Sequence, residues 1–312
     1  MRGLGVLVLV ALAWRFAAAA QAATVWFDWQ ASRDGVGHTY TAQGMTLRVT
    51  TTRVAGEGTA IPVLTLSAPG AAPVRLTGVS GFDDPAALIG VTRLDAASPG
   101  PQVLFQTFSG GAHCCTTLHL ATFAGGAWRT FELTYDGPPG REVLKADAAR
   151  GSPVLAIGDE NFDYAFASHA GSFMVGRFYT VRHGQLYDIS GERRFAATRR
   201  AAAAEALGDC RGDGERNGAC AAYVAEASLA GKHDAAWRRM LTHYDRTSTN
   251  WQDGCRTDAD ADHCPKADVI TFKSFPESLT WFLWRYGYAP AAPTFPCPAK
   301  DCPVPRPRTP AP

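Results

Sequence analysis

Between residues 25 and 195 the apolar residues come in short runs separated by Gly, Pro, Asp and Ser, and this punctuation limits what the chain can fold into. Residues 46–54, 61–67, 74–79, 103–108, 116–123 and 173–181 are rich in Val, Thr, Leu and aromatics. Runs of that length and composition between turn residues are strands, and they leave little room for helices. The texture changes at residue 199, where Ala, Glu, Leu and Arg predict short helices over 201–207, 219–229 and 235–244, the last with Asp234 as its cap. Trp237, Met240, Leu241 and Tyr244 then share one face, whose simplest use is core packing. The expected fold is mainly β, a sandwich or a partial propeller-like β-meander, followed by a small disulfide-stabilised C-terminal α-helical region.

A weak internal repeat sharpens this expectation. The stretch from Thr92 to Leu104 resembles the one from Leu144 to Leu155, and Asp95 stands 52 residues before Asp147. That spacing suits a propeller blade or a doubled β-meander.

At the N-terminus, Arg2 precedes an apolar run ending at Trp14, and small residues follow as far as Ala23. This is the pattern of a secretory signal cleaved near Ala20 or Ala22, and the run is too short and too soon interrupted by Arg15 for a lasting membrane span. The expected division is a signal over 1–22, a β-rich domain over 23–196, a helical, disulfide-rich region over 197–289 and a proline-rich, disordered tail over 290–312. The tail holds nine of the twenty prolines. Without the signal, 28 basic residues face 29 acidic ones, so charge gives no reason to expect nucleic acid or an anionic membrane as a partner. Export to the periplasm or the medium agrees with eight cysteines, an even set.

The block Val103, Leu104, Phe105, Gln106, Thr107, Phe108, Ser109, Gly110, Gly111, Ala112, His113, Cys114, Cys115, Thr116, Thr117, with the later stretch from Asp159 to Ser168, resembles exported bacterial proteins that carry a Gly-Gly-Ala-His-Cys-Cys signature. In those proteins aspartate-rich turns like those of FG-GAP or integrin-alpha repeats lead into the strands. The resemblance covers residues 90–195 and implies an exported β-rich module without supplying a reaction. The calcium-type turn of such repeats is reduced here to Asp95-Ala96-Ala97 and Asp147-Ala148-Ala149, which argues against a metal in either loop.

The densest chemistry lies between Ser109 and Cys115. Gly110 and Gly111 permit a sharp turn or a close backbone approach that delivers His113, Cys114 and Cys115 just before a strand. Imidazole beside thiols suits a metal or an activated nucleophile. Against this, adjacent cysteines on a strand face opposite ways, and no second ligand pair completes a tetrahedral site. Disulfide use is the plainer reading. Spacing favours Cys210 with Cys220, Cys255 with Cys264 and Cys297 with Cys302, each closing a short loop in a poorly packed part of the chain. Cys114 and Cys115 are left to bridge each other or to reach the C-terminal cysteines.

Other candidates are Asp159, Glu160 and Asp163, a carboxylate cluster able to work with His169 as an acid and base pair, and Asp258, Asp260 and Asp262, a weak calcium candidate lacking the turn glycine and the closing glutamate. Nucleotide loops and the serine-hydrolase elbow are missing from the sequence, so no cofactor is expected. The aromatic run Trp281, Phe282, Trp284, Tyr286 and Tyr288 is expected to be buried as a last strand or short helix. The preferred reading is a non-catalytic binding or envelope-associated protein recognising a wall glycan or an envelope protein through Ser109, Gly110, Gly111, His113, Asp159 and Asp163. The alternatives are an exported hydrolase or redox protein, using His113 with either cysteine or the carboxylates at Asp159 and Asp163, and an inhibitor of cell-wall hydrolases.

Overall fold

A computed structural model describes residues 23–53, 58–98, 100–111, 115–147, 151–257 and 263–289. The signal, the tail with Cys297 and Cys302, His113 with Cys114, and Asp258, Asp260 and Asp262 lie outside the described residues.

The chain opens with β1 (Val25–Gln30) and a single helical turn, α1 (Ala31–Asp34). Three consecutive four-stranded meanders follow. The first is β2 (His38–Ala42), β3 (Met45–Arg53), β4 (Ala60–Ser67) and β5 (Val74–Thr77). The second is β6 (Ala86–Thr92), β7 (Gln102–Phe108), β8 (Thr116–Ala124) and β9 (Ala127–Tyr135), with β1 added antiparallel to the β6 edge. The third is β10 (Leu144–Lys145), β11 (Val154–Asp159), β12 (Val175–Arg182) and β13 (Gln185–Asp188). Every pairing within the three meanders is antiparallel. The tight hairpins turn on Gln43-Gly44, Gly125-Gly126 and His183-Gly184, all with left-handed backbone, the geometry that matches strand twist.

The meanders stack face to face, with the second in the middle. Leu47, Val49, Leu64 and Leu66 of the first meet Trp29, Ile89, Val91, Val103 and Phe105 of the middle sheet. Its other face sends Leu104, Leu118, Leu120 and Phe131 against Leu155, Ile157, Tyr179 and Val181 of the third. A strand buried on both faces needs an unbroken apolar run, which is why β7 reads Val103-Leu104-Phe105 rather than alternating. Gly90, on β6, is opposite Trp26, whose ring lies where a β-carbon would sit 2.6 Å away. The internal repeat falls on the first two strands of the second and third meanders. Asp95, after β6, accepts from the backbone of Ala97 and of His183 in the next meander's hairpin (3.0 and 2.7 Å), and Asp147, after β10, pairs with Arg194. Both aspartates clasp neighbouring segments of the fold.

The outer face of the third meander carries the helices. These are α2 (Ala196–Cys210), α3 (Asn217–Leu229), α4 (His233–Met240) and α5 (Phe275–Arg285), with a two-stranded ribbon of β14 (Gly254–Cys255) and β15 (Val269–Ile270) before α5. Their core includes Phe162, Phe166 and Val175 from the β-rich part, so the two regions share one interior. The disulfides Cys210–Cys220 and Cys255–Cys264 follow the expected pairing. Cys210 and Cys220 sit inside the helical core rather than in a poorly packed loop. Lys232 stands at the N-cap of α4 with Asp234 in its first turn, so Asp234 is not the cap. The aromatic run starts in a helix, capped by Ser274, in which Trp281, Phe282 and Trp284 are buried, and Tyr286 and Tyr288 follow its end.

A buried ion pair fixes the helices to the sheet. Arg199 of α2 and Glu226 of α3 meet at 2.9 Å, and both are almost fully buried. Arg199 also donates to the carbonyls of Gly176 (2.6 Å) and Ser190 (3.3 Å), while Glu226 accepts from the Gly176 amide at 3.3 Å. Removing one partner of such a pair strands a charge in the interior. Arg199→Met should therefore lower the unfolding free energy measured in urea by about 3–5 kcal/mol; a loss no larger than the ~1 kcal/mol of an exposed pair would contradict this assignment.

Candidate functional site

Three loops meet at one end of the middle sheet: residues 78–84 after β5, residues 109–111 after β7 and residues 136–140 after β9. Each is tied to a strand below it. The Thr107 hydroxyl accepts from the Val79 amide at 2.9 Å, and Thr116 donates to the Gly137 carbonyl at 2.6 Å. Buried Gln106 binds both backbone groups of Gly140 (3.0 and 3.1 Å) and accepts from the Tyr135 hydroxyl. Burial pushes the Tyr135 phenol up to about 12.

Ser109 and Cys115 close the β7–β8 loop. The Ser109 amide donates to the Cys115 carbonyl at 3.1 Å, and the Cys115 amide donates to the Ser109 hydroxyl at 2.8 Å. Gly110, at φ +82°, presses against Gly81, and a β-carbon on Gly81 would sit 2.0 Å from the Ser109 carbonyl. The glycines thus serve a backbone-to-backbone contact between two loops, one of the two uses their sequence suggested. Cys115 is half of a disulfide. Beside this contact lies an open groove of about 260 Å³, lined by Phe82, Phe108, Leu88 and Pro139 with Asp28 and Ser80. Phe82 is 50% exposed there, and its ring centroid is 6.1 Å from that of Phe108.

Asp159 and Asp163 stand elsewhere, at the end of β11 and in the segment after it. Asp159 is buried. Its carboxylate takes Arg177 Nε at 3.1 Å, the Tyr288 hydroxyl at 2.7 Å and the Asn161 amide at 3.2 Å. Arg177 continues to Asp188 at 2.8 Å and to the Tyr286 carbonyl, and its guanidinium lies 3.9 Å from the centre of the Tyr288 ring. Burial works against this charge, but Tyr288, Asp159 and Asp188 outweigh it and hold the guanidinium above its ordinary value. Burial first, then the Asp159 charge, drives the Tyr288 phenol well above its ordinary value. Burial raises that of Tyr179 as well. Asp159 thus stitches the third sheet to the residues after α5.

Asp163 pairs instead with His169, whose Nδ1 lies 3.0 Å from its carboxylate. Between them Tyr164 holds a left-handed backbone at φ +54°, strained for a tyrosine, with its amide donated to Ser172 at 3.0 Å. Ser168 donates from its amide, at 2.8 Å, and from its hydroxyl to Glu215, which lowers the Glu215 carboxyl below its ordinary value. A carboxylate on Nδ1 fixes the orientation of an imidazole.

Sequence reading missed Arg177 and Arg199, because a lone arginine in a strand or an alanine-rich helix reads as a solvated face, and it expected Tyr288 to be buried without its bond to Asp159. The local signal for Arg177 was its place in the otherwise apolar stretch Val175-Gly176-Arg177-Phe178.

Residues 196–287 match the family model described as the sll0997 C-terminal domain. The matched segment spans the four helices α2–α5; Gly176, which Arg199 and Glu226 engage, lies upstream of it, and Tyr288, which bonds Asp159, lies just beyond it. The chain is similar to a protein of Synechocystis sp. described as a probable thylakoid lumen protein, sll0997, at 35% identity over 215 residues, 66% of this chain and 62% of that one. It is also similar to a Sinorhizobium fredii protein described as uncharacterized protein y4bJ, at 31% over 259 residues, 80% of this chain and 40% of that one. The chain therefore covers less than two thirds of either relative's length. No solved structure matches it.

Raised phenols set the alkaline behaviour. Tyr135, Tyr179 and Tyr288 keep their protons in the fold above the pH at which an unfolded phenol loses its own, about 10. Their contribution to stability is complete below that pH and is lost as pH rises toward the folded values. In an alkaline titration, phenolate absorbance from these three should rise together with loss of the folded circular dichroism signal. Titration of all nine tyrosines near pH ~10 in a chain that stays folded would overturn the assignment.

Proposed function

We propose that this is an exported, non-catalytic binding protein that holds a wall glycan in the groove at the loop end of the middle sheet. The groove itself carries the reading. Phe82 stays half exposed although the loop bearing it is fixed by Thr107 and by the Gly81–Gly110 contact. A rigid aromatic platform with Phe108 and Pro139 behind it and Asp28 and Ser80 at its edge suits a sugar ring, which offers an apolar face and hydroxyl donors. Ser109 and Gly110 stand behind the groove, where Gly110 packs against Gly81 between the lining residues Ser80 and Phe82.

Export is supported by the two disulfides and by the similarity to a protein described as a probable thylakoid lumen protein. Among the described residues no helix is long and apolar enough to cross a membrane. The succession of four-stranded meanders supports kinship with FG-GAP-like blades. A second reading, a hydrolase, is favoured by one observation, the Asp163–His169 pair beside the strained Tyr164.

Cosedimentation with purified peptidoglycan sacculi separates the two. The chain should pellet with the sacculi and release no soluble sugar, and Phe82→Ala should bind at least about tenfold more weakly, a difference of about 1.4 kcal/mol. Failure to pellet, or equal binding by the variant, would overturn the groove. Release of soluble product that His169→Ala abolishes would establish the hydrolase instead.

A further inference from the structure

A second cavity, of about 530 Å³, lies between the start of α2 and the end of α3, far along the chain from the groove. It is lined by Arg193, Arg194 and Arg200 with Gly191, Ala196, Ala197, Leu229 and Ala230, and no acidic side chain lines it. Arg194 is a fixed wall, held by Asp147 and by Glu192 at 2.8 Å. Arg193 and Arg200 are exposed, and among the described residues no hydrogen bond or ion pair engages either side chain. Three arginines line one hollow, and among the described residues two of them have no counter-charge paired with them. Ala196 and Ala197 add the first turn of a 15-residue helix with no capping side chain and no acid in that turn.

We infer that this cavity binds a phosphate group. The guanidinium fork matches phosphate oxygens two at a time, and the two unengaged arginines can close on such a group from either side of the α2 start. The volume leaves room beyond the phosphate for the rest of a headgroup or ester. The near-neutral composition hides this site because its positive charge is local.

The test uses the full chain, with inorganic phosphate and phosphatidylglycerol vesicles as separate probes. Calorimetric titration with phosphate should show saturable binding that chloride at equal ionic strength does not reproduce. The double variant R193Q/R200Q should bind at least about tenfold more weakly and melt at the wild-type temperature without ligand, since neither side chain holds the fold. Pelleting with phosphatidylglycerol vesicles, but not phosphatidylcholine ones, that depends on the same two arginines would identify the source as a lipid headgroup; saturable binding of phosphate alone would identify a soluble one. Absence of binding to both probes, or equal binding by the double variant, would overturn the inference.

Discussion

Taking a guanidinium out of water costs several kcal/mol unless its donors and its charge are met, and this chain does so on both sides of Gly176. On one side Arg199 reaches in from α2 to the Gly176 carbonyl and to Glu226, with its guanidinium 4.7 Å from the centre of the Phe178 ring. On the other, Arg177 holds Asp159, Asp188 and the chain beyond α5. Gly176 leaves ordinary contact room for the Arg199 guanidinium, at 3.6 Å from where its β-carbon would be. Each charge is met within its own region, Arg199 by Glu226 between two helices and Arg177 by Asp159 and Asp188 within the third meander. The hydrogen bonds left over cross the join, from Arg199 and Glu226 to the Gly176 backbone and from Arg177 and Asp159 to Tyr286 and Tyr288. A third buried arginine, Arg285 in α5, donates to the Thr257 carbonyl at 3.0 Å and fixes the chain between β14 and β15.

The rest of the molecule is arranged around that join. Stacking three meanders buries the middle one on both faces, and burial leaves only strand ends and loops free for recognition. At the end used by Ser109, Gly110 and Gly111 the loops are held by buried Gln106, by Thr107 and Thr116, and by glycine-to-glycine packing. Such bracing lets Phe82 stay in solvent without folding down onto the sheet. On the helical side, exposed Arg193 and Arg200 stand beside Arg194, which is already neutralised, so the same shell offers an aromatic groove and a cationic cavity at different places.

Much of the fold was legible because it rests on local rules. Short apolar runs between Gly, Pro and Asp gave strands, the offset between Asp95 and Asp147 marked equivalent positions in successive meanders, and cysteine spacing gave two disulfides. The site was less legible because it depends on contacts distant in sequence. Asp159 and Asp163 are four residues apart, yet one is consumed by Arg177 and Tyr288 while the other faces His169. Spacing cannot separate them, since Tyr288 is 129 residues away from Asp159. The turn glycines were read as permissive; that Gly110 is needed for its contact with Gly81 could be seen only when the loops were placed together. Phe82 carried no signal, for an aromatic beside Gly81 and Asp83 looks like any loop residue.

Hydrogen exchange under native conditions tests most directly whether the third meander and the helical region stand or fall as one unit. Amides of β12 and of α3 should exchange through a single opening, with equal free energies and an equal response to urea. Retention of α3 protection after β12 has exchanged would contradict this, since it would show that the helices hold Glu226 and Arg199 without the strand.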